Sequence, residues 1–498
     1  MGIRSILSKP FAAWVMKSQN EWASNPGKYQ QATFKNLMEQ ASHTAFGKDH
    51  GFEGIGSHED FKKQVPIVDY EGLSDYVNRV VRGEENVLWK GKPAYFAKTS
   101  GTTSGVKYIP ITKDSIPNHI NSARNALLSY IHETGKAGFI DKKLIFLSGS
   151  PVVEDKNGVL TGRLSGIVNH HVPGYLKTNQ MPSYETNCME DWESKVDKIV
   201  EETVDMPMSL ISGIPPWVQM YFDKIVAKTG KPIKDVFPDF SMFVYGGVNF
   251  EPYKAKLFES IGKVIDSIET YPASEGFIAY QDSQYEEGLL LLANSGIFFE
   301  FIPADQYFED NPPRLSLEEV ELGVNYAVIL NSNAGLWGYS IGDTVKFVSK
   351  KPYRLLVTGR IKHFISAFGE HVIGEEVEKA MRLTCSRHPE VELTEFTVAP
   401  QVTPIEGLPL HEWYVEYAVP PNDLKKFTSD LDQELQKLNS YYFDLISGNV
   451  LRPLEIVALQ KNSFIHYMKS IGKLGGQNKV PRLSNDRKIA DQLIRYKF

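Results

Sequence analysis

From Thr99 to Gly105 the chain uses only Thr, Ser and Gly: Thr-Ser-Gly-Thr-Thr-Ser-Gly. Glycine lets successive main-chain N–H groups turn toward one point, and each hydroxyl adds a rotatable donor, so such a loop can wrap an anion. Strand-like runs stand on both sides, at 94–97 and 108–111, and Lys107 adds positive charge at the exit. A polyphosphate suits this chemistry. A flexible Ser/Gly linker has a similar composition, but linkers seldom sit between apolar strands and end on a lysine. Two acids stand in comparable surroundings. Glu275 lies in Tyr271-Pro-Ala-Ser-Glu-Gly276, just after an apolar run, where a carboxylate can hold Mg²⁺ beside phosphates. Asp343 closes Gly338-Tyr-Ser-Ile-Gly-Asp, a glycine turn whose acid can accept both hydroxyls of a ribose. Taken singly, each acid has an ordinary alternative, since Asp is a common turn residue and Glu is usually solvated.

The elements that must carry these residues follow from periodicity. Residues 1–50 read as helices, with Phe11, Trp14, Val15 and Gln19 outlining one face and Phe34, Leu37, Met38 and Ala41 another. After the hydroxyl-rich loop, Ser115 is placed to cap a helix whose second position is Pro117. From 144 to 276, buried strands alternate with helices and end in glycine turns, as at Ser148-Gly149 and Gly246-Gly247. That pattern predicts a wound α/β sheet, in which ligands bind beyond the carboxyl ends of the strands. The stretch 151–182 has no clear period. Its adjacent His170 and His171 lack a carboxylate or cysteine at ligand spacing and read as polar contacts rather than a metal site. From Gly288 strand follows strand, with the Gly338–Asp343 turn among them, up to Gly359-Arg360. A boundary falls there. The remainder predicts a small α+β domain with one long helix over 424–445.

Composition bounds the class. The chain has 498 residues, 42% hydrophobic and 23% charged, with a formal net charge of -7. These are the proportions of a globular protein, and there is no basic tract to suggest nucleic acid. Two distant cysteines, Cys188 and Cys385, make neither a disulfide framework nor a zinc site, which points to the cytoplasm. No apolar run approaches the ~20 residues of a membrane span, so no membrane partner is expected. The sequence sets no oligomeric state.

The order of the motifs carries a resemblance. Thr99–Gly105 with Lys107, Tyr271–Gly276, Tyr339–Asp343, and Gly359-Arg-Ile-Lys-His-Phe-Ile with Gly369 and Glu375–Glu378 resemble, in sequence, the motifs of the acyl-adenylate-forming superfamily. Within it, Phe46-Gly-Lys-Asp-His-Gly-Phe52, Tyr-Pro-Ala-Ser-Glu-Gly and the tail Gly476-Gln-Asn-Lys-Val-Pro-Arg482 are similar to the Gretchen Hagen family of acyl-acid amido synthetases. Keeping Gly-Arg-Ile-Lys at the hinge and lacking longer insertions, the chain looks like a bacterial-type member. The resemblance implies a large N-terminal domain (residues 1–360) that binds ATP and the acyl acid. That domain would hold wound α/β sheets and a β-rich part, followed by a smaller mobile α+β lid (361–498). It implies that Thr99, Ser100, Thr102 and Thr103 hold ATP phosphates, with Gly101 and Lys107 in the same loop. Gly246 and Gly247 would line the adenine, and Tyr271 would stack near it. Ser274 and Glu275 would meet phosphates and Mg²⁺, Asp343 the ribose with help from Arg360. Lys362 would lie at the hinge, and Lys479 would reach in during adenylation. The activity so implied adenylates a carboxylic acid and passes the acyl group to an amino acid. An acyl-CoA ligase shares the first half-reaction, and an idle nucleotide sensor is the alternative outside enzymology.

Overall fold

The computed structural model describes residues 2–100, 106–172, 177–189, 191–247, 250–361, 364–365, 372–402, 404, 406–447, 450–475, 479–484 and 486–498. Gly101, Thr102, Thr103 and Lys362 therefore lie outside the described residues, as does the side chain of Ser100. The contacts divide the chain into two units. One holds Met1–Val248 and Ser260–Val357, the other Asn249–Glu259 and Thr358–Phe498.

In the first unit a hairpin of β1 (Tyr95–Ser100) and β2 (Val106–Ile111) carries the hydroxyl-rich loop. Together with β4 (Glu154–Lys156) and β5 (Val159–Gly162) it forms a four-stranded sheet ordered β2-β1-β5-β4. The main sheet has eleven strands. The wound part is β3 (Lys143–Phe146), β6 (Gln180–Met181), β7 (Met208–Ser212), β8 (Met242–Gly246) and β9 (Asp266–Ala273). The antiparallel part is β10 (Gly276–Tyr280), β11 (Leu289–Leu291), β12 (Ile297–Pro303), β13 (Asn325–Ser332) and β14 (Tyr339–Lys350), joined by β15 (Tyr353–Arg360). The order is β12-β13-β14-β15-β11-β10-β9-β8-β7-β3-β6. The two patterns seen in sequence are thus halves of one sheet, hinged at the hairpin β9–β10.

Several local readings change. Of the expected face of the Ile3–Ser24 helix, Val15 and Gln19 are buried, beside Ala12, Met16 and Trp22, whereas Phe11 and Trp14 are exposed. Ser115 makes no side-chain cap, because its hydroxyl is engaged with the main chain of Thr112. The stretch 151–182 contains β4, β5, β6 and the helix Leu164–His170. His170 there meets the Pro151 carbonyl and His171 the Tyr95 hydroxyl. Gly338–Asp343 is not a free turn. Asp343 sits inside the 12-residue β14, where Gly342 at φ 78° and a register shift opposite β13 mark a bulge.

The N-terminal helices cover the antiparallel half. Trp337 is fully buried there, its indole N–H donating to the Leu88 carbonyl at 3.0 Å. The same half holds a buried ion cluster. Glu300 accepts from Arg314 at 2.9 and 2.7 Å, from Asn331 at 2.8 Å, and meets His58 at 2.7 Å. Burial alone would raise the Glu300 carboxyl. The His58 hydrogen bond and the Arg314 guanidinium outweigh it and bring it down to about 2. A depressed carboxyl contributes stability above its unfolded value and loses it as pH falls through the folded one. Glu300→Gln should therefore lower stability by about 3 kcal/mol at neutral pH, largely by leaving Arg314 buried without its anion. The deficit should shrink between pH 4.5 and about 2. Urea midpoints measured across that range check this.

The second unit centres on β18 (Glu392–Gln401), β19 (Leu410–Val419) and β20 (Glu455–Leu459), and a short hairpin of β16 (Phe364–Ile365) and β17 (Val372–Ile373) precedes them. Alternation sends Trp413, Val415 and Tyr417 to one face, against Val377, Met381, Phe427 and Leu431. Tyr414 faces the other, with Phe464, Tyr467 and Leu493. The expected 424–445 helix is two, Leu424–Leu438 and Ser440–Ser447, broken at Asn439.

Candidate active site

Strands β3, β7, β8 and β9 run parallel, so their carboxyl ends share one edge of the sheet. Ser148, Gly213 and Ser274 follow the ends of β3, β7 and β9, and Gly246 is the last residue of β8. Gly246 pairs with Thr270 on β9. A Cβ at Gly246 would stand 2.4 Å from the Thr270 carbonyl oxygen, and Gly247 has φ 77°. Glycine is what lets the two strand ends approach this closely. Gly246→Ala should push β8 from β9, costing about 1–3 kcal/mol, the usual scale for forced overpacking. Melting temperature and ATP affinity should fall together.

Ser274 and Glu275 form the two-residue link between β9 and β10, with Ala273 paired to Gly276. The link is held from behind by Asn118, whose amide donates to the Phe277 carbonyl at 2.9 Å and accepts its N–H at 2.6 Å. Two tyrosine–carboxylate contacts then cross the sheet. Tyr271 donates its hydroxyl to Asp343 at 2.8 Å, and Tyr339 donates to Glu275 at 3.3 Å. The strands involved, β9 and β14, stand four places apart in the sheet order, so the sheet curls to bring them together. Both acids are half-buried. Burial first, and then the Glu275 charge, push the Tyr339 hydroxyl well above its ordinary range, so it stays a proton donor. Asp69 and Tyr70 act on it in the same direction.

Tyr70 ties in the hydroxyl-rich hairpin. Its hydroxyl accepts the Tyr108 N–H at 3.0 Å, and Lys107 Nζ lies 5.2 Å from its ring centre. Thr99 and Lys107 face each other at the base of that hairpin. Val68, two residues before Tyr70, exchanges main-chain hydrogen bonds with Gly338 and Ser340 of the Asp343 segment, at 2.9 and 2.8 Å. One helix start therefore links the loop's exit to β14. Thr99, Lys107, Gly246, Gly247, Tyr271, Ser274, Glu275 and Asp343 all belong to the first unit.

Arg360 and Lys479 belong to the second unit. Lys479 is exposed, three residues before Arg482. Arg482 is locked in place. It donates to Glu378 at 3.0 Å, to the Phe396 carbonyl at 3.0 Å and to the Tyr253 hydroxyl at 2.5 Å, and it pairs with Glu395. The Arg482 carbonyl accepts from Val398 N–H at 2.9 Å, so the tail runs beside β18.

Sequence reasoning missed Tyr70, Asn118, Tyr339 as a donor to Glu275, and Lys195. Lys195 is 1% exposed, and its ammonium donates to the carbonyls of Ser148 and Asn187 at 3.0 and 2.8 Å. Burial, then the Arg163 charge, brings it down to about 8. The available signal was its place beside Trp192 and Val196 on the apolar face of its helix. On the neighbouring helix Trp217 and Tyr221 are buried, with Trp217 edge-on to Trp192 at 4.6 Å.

Comparison with known proteins gives a consistent picture. Family models match in order: the GH3 family N-terminal domain over residues 15–196, the central domain over 290–360 and the C-terminal domain over 375–488. The chain is 22% identical to jasmonoyl–L-amino acid synthetase JAR4 of Nicotiana attenuata, over 92% of this chain and 91% of that one. Its fold is similar to the GH3.15 acyl acid amido synthetase in complex with 2,4-DB, with TM-score 0.79, 16% identity, and 97% and 95% of the two chains covered. It is also similar to 2-hydroxyisobutyryl-CoA ligase in the postadenylation state, with TM-score 0.59, 13% identity, and 94% and 91% covered. With all three domain models matched in order over most of its length, the chain belongs to the GH3 family.

Proposed function

We propose that this protein is an ATP-dependent acyl-acid amido synthetase acting in the cytoplasm. A carboxylate oxygen of the acid attacks the α-phosphorus of ATP, the bond to the bridging oxygen breaks, and pyrophosphate leaves. The amine of an amino acid then attacks the acyl carbon, the bond to the AMP oxygen breaks, and the amine proton goes to solvent as AMP departs. The first step brings anion to anion, so fixed donors and cations must stabilise the charge that develops. We assign Thr99, Ser100 and Lys107 to the phosphates, Gly246, Gly247 and Tyr271 to the adenine side, and Asp343 with Arg360 to the ribose. The observation that carries this reading is the pair of contacts Tyr271–Asp343 and Tyr339–Glu275, which support a single nucleotide bridging two motifs.

Among the described residues no group of three His, Cys, Asp or Glu could hold a metal. A magnesium ion that travels with ATP needs only one or two carboxylates and keeps phosphate oxygens and water as its other ligands. Glu275, at the hairpin link, fits that single-ligand role, and the ion would supply charge neutralisation on the phosphates. The N-terminal domain (1–360) is assigned to ATP and acid, and the C-terminal domain (361–498), with hinge Lys362, to the lid that brings Lys479.

The test mixes protein, ATP, Mg²⁺ and a panel of carboxylic acids with either amino acids or CoA, and follows pyrophosphate and AMP. Acid-dependent pyrophosphate with amine-dependent turnover is expected. Turnover that requires CoA would make it an acyl-CoA ligase. ATP binding without acid-dependent pyrophosphate would make it a sensor.

A further inference from the structure

The Ile3–Ser24 helix is apolar on both faces. One face packs inward through Ala12, Val15, Met16 and Trp22. The opposite face of a surface helix is ordinarily polar. Here it carries Ile3, Ile6, Leu7, Phe11 and Trp14, with Ile3 77%, Leu7 63% and Trp14 71% exposed. Their spacing places them in one stripe along successive turns. Phe11 and Trp14 stack at 5.9 Å, and the Arg124 guanidinium lies 5.6 Å from the Phe11 ring. Helical geometry sets Arg4 and Lys9 on the two flanks of the stripe and Lys17 at its far end. Residues 3–20 contain no Asp or Glu, in a chain whose net charge is -7. Asp141, beside the start of the helix, is occupied by the N–H groups of Gly2 and Ser5 at 2.7 and 3.2 Å, and Glu21, two turns beyond Trp14 on the same face, accepts from the Tyr29 hydroxyl at 3.2 Å.

We propose that this stripe docks the protein on the surface of a lipid bilayer bearing anionic headgroups, with the helix lying in the interface. The surface is a convex ridge with aromatic and aliphatic tips and cationic flanks. That is the form that inserts shallowly while its lysines and arginines meet headgroup phosphates. Charge separates this occupant from a second copy of the chain. A two-fold interface sets a patch against itself. The three flanking cations of one copy would meet the same three of the other, with a single carboxylate, Glu21 beyond the end of the stripe, to set against them. The proposal uses no residue of the candidate active site and stands apart from the function assigned above.

The experiment is flotation of the full-length protein with vesicles of phosphatidylcholine and phosphatidylglycerol in equal parts, and with phosphatidylcholine alone. The protein should float with the anionic vesicles at low salt and lose that binding as salt rises. Leu7→Glu combined with Trp14→Glu should reduce flotation about tenfold or more, while melting temperature stays as in the unaltered protein. Lys9→Glu combined with Lys17→Glu should reduce it on the anionic vesicles as well. Absence of flotation with anionic vesicles overturns the proposal. So does flotation that both variants retain, and so does a vesicle-free dimer that the Leu7/Trp14 variant dissolves without any vesicle binding by the parent.

Discussion

Lys479→Ala should slow acid-dependent pyrophosphate release by about a hundredfold or more, the scale of removing one positioned donor from a developing anion. Amide formation from preformed acyl-adenylate should change by less than about threefold, because that step builds no charge on pyrophosphate. The asymmetry is the content of the prediction: equal loss in both steps would remove the lysine from adenylation. The second unit fixes the main chain close to this exposed lysine. Three residues on, Arg482 is fastened to Glu378, Glu395, Tyr253 and the Phe396 carbonyl. Arg482→Ala should then mimic Lys479→Ala in the first half-reaction and also destabilise the unit by about 3–5 kcal/mol, since Glu378 and Glu395 would lose the buried cation they share. Lys479→Ala, altering an exposed side chain, should leave the melting temperature unchanged. Calorimetry beside the two half-reaction assays separates the aiming residue from the aimed one.

Glu275→Gln should cripple Mg²⁺-dependent turnover, by about a hundredfold or more. The amide keeps the shape of the carboxylate and can still accept from Tyr339, whose contact is long at 3.3 Å. The fold should therefore be disturbed by less than about 1 kcal/mol. Activity falls while stability holds, and raising Mg²⁺ should recover part of the rate if the carboxylate serves to hold the ion. Near-normal turnover at ordinary Mg²⁺ would detach Glu275 from the metal. Loss of turnover matched by loss of melting temperature would reduce it to a structural partner of Tyr339.

Much of the scaffold was legible because its signals are local. The helix Pro215–Thr229 begins at its prolines and ends on Gly230 at φ 67°, as Pro at the start and Gly past the end dictate. The amphipathic stripe of Trp192, Val196, Ile199 and Val200 is buried in the fold. Strand ends at Gly246 and Ala273 fall where apolar runs meet glycine or Ser-Glu-Gly. What stayed hidden depends on partners distant in the chain. Asp343 reads as a turn residue from its glycines, yet pairing with β13 draws it into a strand, and the glycine becomes a bulge. Tyr70 opens its helix with no local sign of a role, since its partners Tyr108 and Lys107 come from 38 and 37 positions away. The Ile3–Ser24 helix misled for a different reason: apolar residues surround it, so periodicity could not tell the inner face from the outer one.

Strand β11 spans three residues in the interior of the main sheet, and two register pairs join it to each neighbour: Ala279↔Leu291 and Tyr280↔Leu290 on one side, Leu289↔Leu355 and Leu290↔Arg354 on the other. It is the splice, within the antiparallel part, between the β9–β10 hairpin that bears Glu275 and the β14–β15 strands that bear Asp343. Deuterium uptake at these few amides is therefore a built-in gauge of how often the two sides part. A nucleotide clasped by both acids should slow that uptake across the splice while leaving strands at the sheet's far edges, such as β12, exchanging as before.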